Sequence, residues 1–244
     1  VRDFGKTERI KTSEKAVIDY SKCINCKKCF ENCYFRAIGW KGKPEVNNML
    51  CEGCGACRLV CPENAIKLVK VENAEIGYGK TDYGFDIVSG QLKIGESGSG
   101  KIVSYVKEKA SEIGKGKDIM LVDAAAGIGC PVIASVSGSD YVIAVTEPTP
   151  SALSDLKRAV EMVDHFKTPI GLVINRFDIN ARFSDKIEQF AKEKNIKVIG
   201  RIPYDKTFVD SLVNLKPAVV YDVSKEKIFQ NILDNVPLEQ EGGR

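Results

Sequence analysis

One histidine, one tryptophan and three methionines are all that 244 residues contain of those types. The single histidine, His165, reads as a helix-end residue whose imidazole answers the helix dipole. No Ser/His/Asp or Cys/His catalytic set is built on it. No run of 18 apolar residues occurs, so no transmembrane helix is expected. The opening Val1-Arg2-Asp3-Phe4-Gly5-Lys6 has no apolar core and is no signal peptide. The formal net charge is +3, too small to point to nucleic acid or a membrane surface as a partner.

Cysteine is the residue the chain has in excess, with nine. Eight of them lie in two runs, Cys23-Ile24-Asn25-Cys26-Lys27-Lys28-Cys29-Phe30-Glu31-Asn32-Cys33 and Cys51-Glu52-Gly53-Cys54-Gly55-Ala56-Cys57-Arg58-Leu59-Val60-Cys61. Each run has the spacing Cys-x2-Cys-x2-Cys-x3-Cys, by which bacterial-type ferredoxins hold 4Fe-4S clusters. Three thiolates on one tight loop cover three corners of a cubane, and the fourth must be reached from elsewhere. In the two-cluster version the fourth cysteine of each run serves the other cluster. That assigns Cys23, Cys26, Cys29 and Cys61 to a first cluster, and Cys51, Cys54, Cys57 and Cys33 to a second.

Two other uses of cysteine fit less well. Zinc ribbons pair two Cys-x2-Cys knuckles around one ion, which leaves ligands over here. Nothing marks a secreted disulfide scaffold. The runs also form an internal repeat: Cys23 and Cys51 are 28 residues apart, and the runs continue into Ala37-Ile38 and Ala65-Ile66. Pro62 follows the second run, whereas Tyr34 follows the first. Proline pre-sets a turn but donates no ligand. Thiolate-bound clusters require reduced cysteines, so a soluble, cytoplasmic location is expected.

The domain organisation expected is a linker over 1–15, a ferredoxin domain over 16–72 and an α/β domain over 73–244. Ala16 to Asp19 opens the ferredoxin and Ile66 to Val71 closes it. Its nine Lys and Arg against six Asp and Glu over residues 17–72 are read as ordinary solvated charge, with an acidic redox partner as the alternative. Glu75 to Ile94 alternates short strands with turn residues and predicts a hairpin. Ile102 to Ile113 reads as an amphipathic helix.

From there the chain alternates apolar runs with helices. Ile119–Val122, Tyr141–Val145, Ile170–Ile174 and Val198–Ile202 are continuous apolar runs, expected of parallel strands covered on both faces. Helices are expected near 151–165, 183–194, 208–215 and 225–235, the first with Thr149 as N-cap and Pro150 at its first position. The fold class is therefore α/β, a doubly wound, mostly parallel sheet with an inserted α+β ferredoxin. Ligands in such sheets bind at the carboxyl ends of the strands. Those ends carry Asp123, Asn175, Glu147-Pro148-Thr149 and Pro203-Tyr204. Cys130, outside both runs, is expected to be a buried thiol, and Trp40 and Phe30 to pack the ferredoxin core.

Taken in order, the ferredoxin, Val122-Asp123-Ala124-Ala125-Ala126-Gly127, Thr146-Glu147-Pro148-Thr149-Pro150-Ser151, Ile174-Asn175-Arg176 and Ile202-Pro203-Tyr204-Asp205 resemble the MinD/ParA-type deviant-Walker ATPases that carry an inserted two-cluster ferredoxin. The resemblance covers about Ala16 to Val236. It implies ATP with Mg²⁺ as a further cofactor, Asp123 as the catalytic Mg²⁺-side aspartate, Gly127 as the switch glycine and Asn175 as the adenine-reading amide. Pro203 and Tyr204 would line the base pocket. It also implies a homodimer that sandwiches nucleotide, and a role in ATP-dependent redox chemistry or metallocluster maturation with an unidentified redox partner.

Two departures accompany these matches. The family opens on a Lys-Gly-Gly-x-Gly-Lys-Thr phosphate loop, which does not precede the ferredoxin here, and Ala124-Ala125-Ala126 stands where prolines are common. The sequence is therefore expected to be a fragment that does not hydrolyse ATP alone. Gly95-Glu96-Ser97-Gly98-Ser99-Gly100-Lys101 fits Gly-x4-Gly-Lys, but Ile102 replaces the Mg²⁺-binding Ser or Thr. Lys101 is thus either a phosphate ligand or part of a surface or interdomain loop. Function reads as electron transfer gated by nucleotide, the alternatives being a cluster carrier or scaffold, and a nucleotide-independent ferredoxin with a docking domain.

Overall fold

The computed structural model describes residues 4–96 and 98–238. Residues 1–3 of the expected linker, Ser97 of the Gly-x4-Gly-Lys stretch and residues 239–244 lie outside the described residues. Two compact units divide the chain, one through Ala124 and one from Ala125 on.

In the first unit, β1 (Lys6–Ile10) and β2 (Ser13–Ile18) precede α1 (Lys28–Glu31), β3 (Ile38–Trp40), β4 (Pro44–Val46), α2 (Ala56–Leu59) and β5 (Ile66–Val71). β6 (Ala74–Lys80), β7 (Asp86–Leu92) and α3 (Ser99–Ile113) follow. β2 pairs antiparallel with β5, which joins the entry and exit of the cysteine-bearing segment, and β3 pairs with β4 as a hairpin. β1, β6 and β7 form a separate antiparallel sheet, against which Ile102 and Tyr105 of α3 pack around Ile10, Ala74 and Ile76. The approach is close enough that a Cβ on Gly90 would meet Val106 Cγ2 at 2.9 Å.

This corrects the expected linker over 1–15, whose described residues, 4–15, are mostly strand. Lys6-Thr7-Glu8-Arg9-Ile10 is a polar edge strand with one buried residue, and a polar run offers no apolar alternation to read. Because β1 pairs with β6, residues before and after the ferredoxin share a sheet. The compact unit accordingly runs past the expected boundary at 72/73.

The 28-residue repeat is repeated by the backbone. Asn25, Lys27 and Arg36 have φ of 55°, 64° and 52°, and Gly53, Gly55 and Asn64, each 28 positions on, have 64°, 81° and 49°. α1 and α2 begin at the same offset. Gly53 is the position where glycine is required, since a Cβ there would meet the Glu14 carbonyl oxygen at 2.2 Å.

In the second unit, α4 (Cys130–Val136), β8 (Val142–Thr146), α5 (Pro150–His165), β9 (Ile170–Asn175), α6 (Ala181–Glu193) and β10 (Lys197–Ile202) alternate, followed by α7 (Lys206–Val213), α8 (Ala218–Tyr221) and α9 (Glu226–Leu233). The strands form a parallel sheet in the order β10-β9-β8. Leu172 and Ile174 of β9 are buried with Leu156 and Val160 of α5 and Ile187 and Phe190 of α6. Thr149 caps α5 by accepting from the Ala152 N–H at 3.2 Å, with Pro150 at the helix start.

The expected strand Ile119–Val122 does not form. The segment has no strand partner among the described residues, and Ile119, Met120 and Leu121 are exposed. An apolar run becomes a parallel strand only with a hydrogen-bonded neighbour and two covered faces, and these side chains have no cover. Cys130, expected to be buried, is exposed at the start of α4.

Candidate functional site

The eight cysteines of the two runs line two cavities of the first unit. Cys23, Cys26, Cys29 and Cys61 surround one, with Ile18, Pro44 and Ile66 on its walls. Cys33, Cys51, Cys54 and Cys57 surround the other, walled by Ala16, Ile38 and Leu68. Each cage takes three cysteines from one run and one from the other. The left-handed residues make this possible: they turn the chain tightly enough for three thiols to face one point, and then start a one-turn helix that carries the third.

Backbone donors are aimed at three of the sulfurs. The N–H of Ala37 is 3.2 Å from Cys33 Sγ, that of Ala65 is 3.3 Å from Cys61 Sγ, and that of Ala16 is 3.5 Å from Cys51 Sγ. Such bonds stabilise thiolate and raise a cluster's potential. Cys29, Cys51 and Cys57 are buried, and Cys26 and Cys54 are exposed. Burial pushes the Cys29 and Cys57 thiols up from the ordinary cysteine value. A bound cation deprotonates such a thiol outright.

Each iron of a cubane takes one thiolate, so its four sulfurs stand around one body larger than a single ion. The cavities, the sulfur-directed N–H groups and the paired cages therefore fit a 4Fe-4S cluster in each site. Bound there, it supplies one-electron oxidation and reduction.

Phe30, expected to pack the core, is exposed; its ring centroid lies 6.4 Å from that of Trp40, and the Lys27 ammonium 5.3 Å from the Trp40 ring. Lys15 carries no sequence signal, yet it is 3% exposed. Its ammonium donates to the Cys51 carbonyl at 2.9 Å and lies 3.2 Å from the Glu96 carboxylate.

The residues expected at a nucleotide site are divided between the units. Asp123 is exposed in irregular backbone at the end of the first, and Lys101 is exposed near the start of α3. The strand before Lys101, β7, is an edge strand of an antiparallel sheet, unlike the parallel strand that feeds a phosphate loop. In the second unit Gly127 has φ of 98° in the loop before α4. Asn175 ends β9 opposite Ile202, so Asn175, Pro203 and Tyr204 meet at the carboxyl edge of the parallel sheet. Tyr204 is fixed there by its N–H, which donates to Asp178 at 2.7 Å, and Arg176 pairs with Glu147 at 3.4 Å across the same edge.

Residues 16–68 match the family model of the 4Fe-4S dicluster domain. An uncharacterised protein of Methanocaldococcus jannaschii is 38% identical over 158 residues, which cover 65% of this chain and 55% of the relative. An iron-sulfur cluster carrier protein of the same organism is 24% identical over 156 residues, 58% of this chain and 54% of that protein. The chain spans about half the length of these curated relatives. Among solved structures, the MinD cell division protein of Aquifex aeolicus is similar at a TM-score of 0.47 and 22% identity, over 67% of this chain and 71% of that one.

Proposed function

We propose that this chain is an electron-transfer protein with two 4Fe-4S clusters, in which the second unit binds ATP with Mg²⁺ and nucleotide sets delivery to a redox partner. The observation that carries the reading is that each four-cysteine cage draws on both runs. Sharing ligands ties the cages into one rigid body, which suits repeated one-electron transfer with little rearrangement. The buried cysteines Cys29, Cys51 and Cys57 keep water from the inner faces, and the exposed Cys26 and Cys54 leave each cage an edge at the surface through which an electron can pass.

Support for nucleotide binding comes from the sequence resemblance and from Asn175, Pro203 and Tyr204 meeting at one sheet edge, the usual ligand position in open α/β sheets. Gly127 would serve the switch, whereas Asp123, the expected Mg²⁺-side residue, lies in the first unit. A cytoplasmic location and a homodimer belong to the same proposal. Anaerobic calorimetry with ATP·Mg²⁺ on the cluster-loaded chain tests it. Micromolar binding that is lost in Asn175→Ala supports the nucleotide reading, and absence of binding removes it while leaving the ferredoxin reading intact.

A cluster carrier is the second reading, favoured by the 24% identical relative of that name. It predicts transfer of iron and sulfide to an apo-acceptor on mixing. Electron transfer predicts reversible redox cycles with the clusters retained.

A further inference from the structure

The cages differ in one respect that the repeat does not share. Beside the second cage stands a buried cation, Lys15, bonded to the carbonyl of one of that cage's own cysteines, Cys51. Lys27, which lines the first cage, is exposed and lies over Trp40. An exposed charge is screened by water, whereas a buried one acts through a poorer dielectric and keeps much of its reach.

The partner of Lys15 comes from a distant part of the chain. Glu96 sits in the segment between β7 and α3, 81 positions on, with its carboxylate 3.2 Å from the ammonium. Its Oε2 is buried and has no aligned hydrogen bond, so the contact is one of charge. The same segment touches the cysteine-bearing region again, since a Cβ on Gly95 would lie 3.4 Å from Met49 Cε.

We infer that Lys15 raises the reduction potential of the second cluster, so that an electron shared between the clusters rests on the one held by Cys33, Cys51, Cys54 and Cys57, and that Glu96 moderates this effect. Reduction by a one-electron, low-potential donor adds one negative charge to the cage and leaves the donor oxidised by one electron. The ammonium, bonded to the Cys51 carbonyl, stabilises the added charge, and the carboxylate opposes it. Lys15 and Glu96 are positioning residues that set where the electron stays. The inference rests on the two-cluster reading.

The test is an anaerobic potentiometric titration of the full chain followed by EPR, after iron and sulfide have been counted. The second cluster's signal is the one lost in Cys54→Ser. Lys15→Met is expected to lower the ratio of reduced to oxidised second cluster at fixed potential about tenfold, which is about 59 mV for a one-electron couple. Glu96→Gln is expected to raise that ratio, Lys15→Arg to preserve it, and the first cluster to stay in place throughout. A packing role would move both variants in the same direction. Shifts of one sign, or no shift, overturn the inference. If Lys15→Met fails to hold its cluster, Glu96→Gln decides alone, and an unchanged or lowered ratio overturns it. A wild-type chain without two clusters overturns the underlying reading, and the inference with it.

Discussion

The backbone N–H of Ala37 points at the sulfur of Cys33, 3.2 Å away and four residues back. Ala65 does the same for Cys61 at 3.3 Å. Cys33 and Cys61 are the two residues that leave their own run for the other cage, and these bonds hold each sulfur toward it. Cys61→Ser is therefore predicted to remove the first cluster and Cys33→Ser the second, each lowering iron from about eight to about four per chain. Adding Cys23→Ser to Cys61→Ser should cost nothing more, and adding Cys51→Ser should abolish the remaining iron. The opposite pattern in iron analysis would mean that each run closes its own cage.

Gly53 supplies a second prediction. Its φ is 64°, and the space beyond its Cα is filled by the Glu14 carbonyl. Backbone cannot yield as a side-chain tip can, so Gly53→Ala must displace either β2 or the second cysteine loop. A cost above about 1 kcal/mol is expected for alanine at such a position. Reconstitution followed by EPR should show loss of the second cluster with the first retained, whereas Gly42→Ala, at a left-handed turn with open space beyond it, should keep both.

How much of this was legible in the sequence differs by region. The two cysteine runs were open to reading because cluster ligation depends on local spacing, whereas the Ala37 and Ala65 amides that meet Cys33 and Cys61 were not singled out, although the Ala-Ile echo after each run contains them. Lys15 was hidden because its burial depends on β2 pairing with β5 and on a carboxylate 81 positions away. β1 was hidden for another reason: a polar edge strand has no alternation. Ile119–Val122 misled in the opposite direction, since composition proposes a strand but only neighbours make one. Four of the second unit's helices, α5, α6, α7 and α9, were legible to within a few residues because caps such as Thr149 and apolar spacing are local signals, whereas the short α4 and α8 were not.

Acid stability of the second unit follows from Asp205. The Lys225 ammonium, and then the Thr207 hydroxyl and N–H, hold its carboxyl well below the usual carboxylate range. A depressed pKa means that the unfolded chain binds the proton first. The contribution is thus fully present above about pH 4, the ordinary aspartate value, and is lost as pH falls toward the folded value. Lys225 is raised by the same contact, so its share is present below the ordinary lysine range and is lost as pH rises through the folded value. Solvent screens the pair, and the effect is small. Urea midpoints between pH 3 and pH 7 should fall less steeply with acid in Asp205→Asn than in the wild type; parallel curves would contradict the assignment.

Ile187 tests the packing of the parallel sheet. It is fully buried on α6 against Leu172 and Ile174 of β9. Ile187→Ala removes three methyl or methylene groups from a site with no solvent to fill it. It should cost about 2–5 kcal/mol, read as a lower denaturation midpoint. Cluster content should be unchanged, because the cages lie in the other unit. Loss of iron in this variant would mean that the two units fold as one.

The central claim is that two four-cysteine cages, each borrowing one ligand from the other's run, hold two redox-active 4Fe-4S clusters. The most direct test is an anaerobic count of iron and acid-labile sulfide per chain, followed on the same sample by reversible reduction monitored by EPR. About eight irons and eight sulfides, with two reduced-cluster signals that return over repeated cycles, is the predicted result. Bound zinc without sulfide, a single cluster, or iron lost on the first cycle would contradict it.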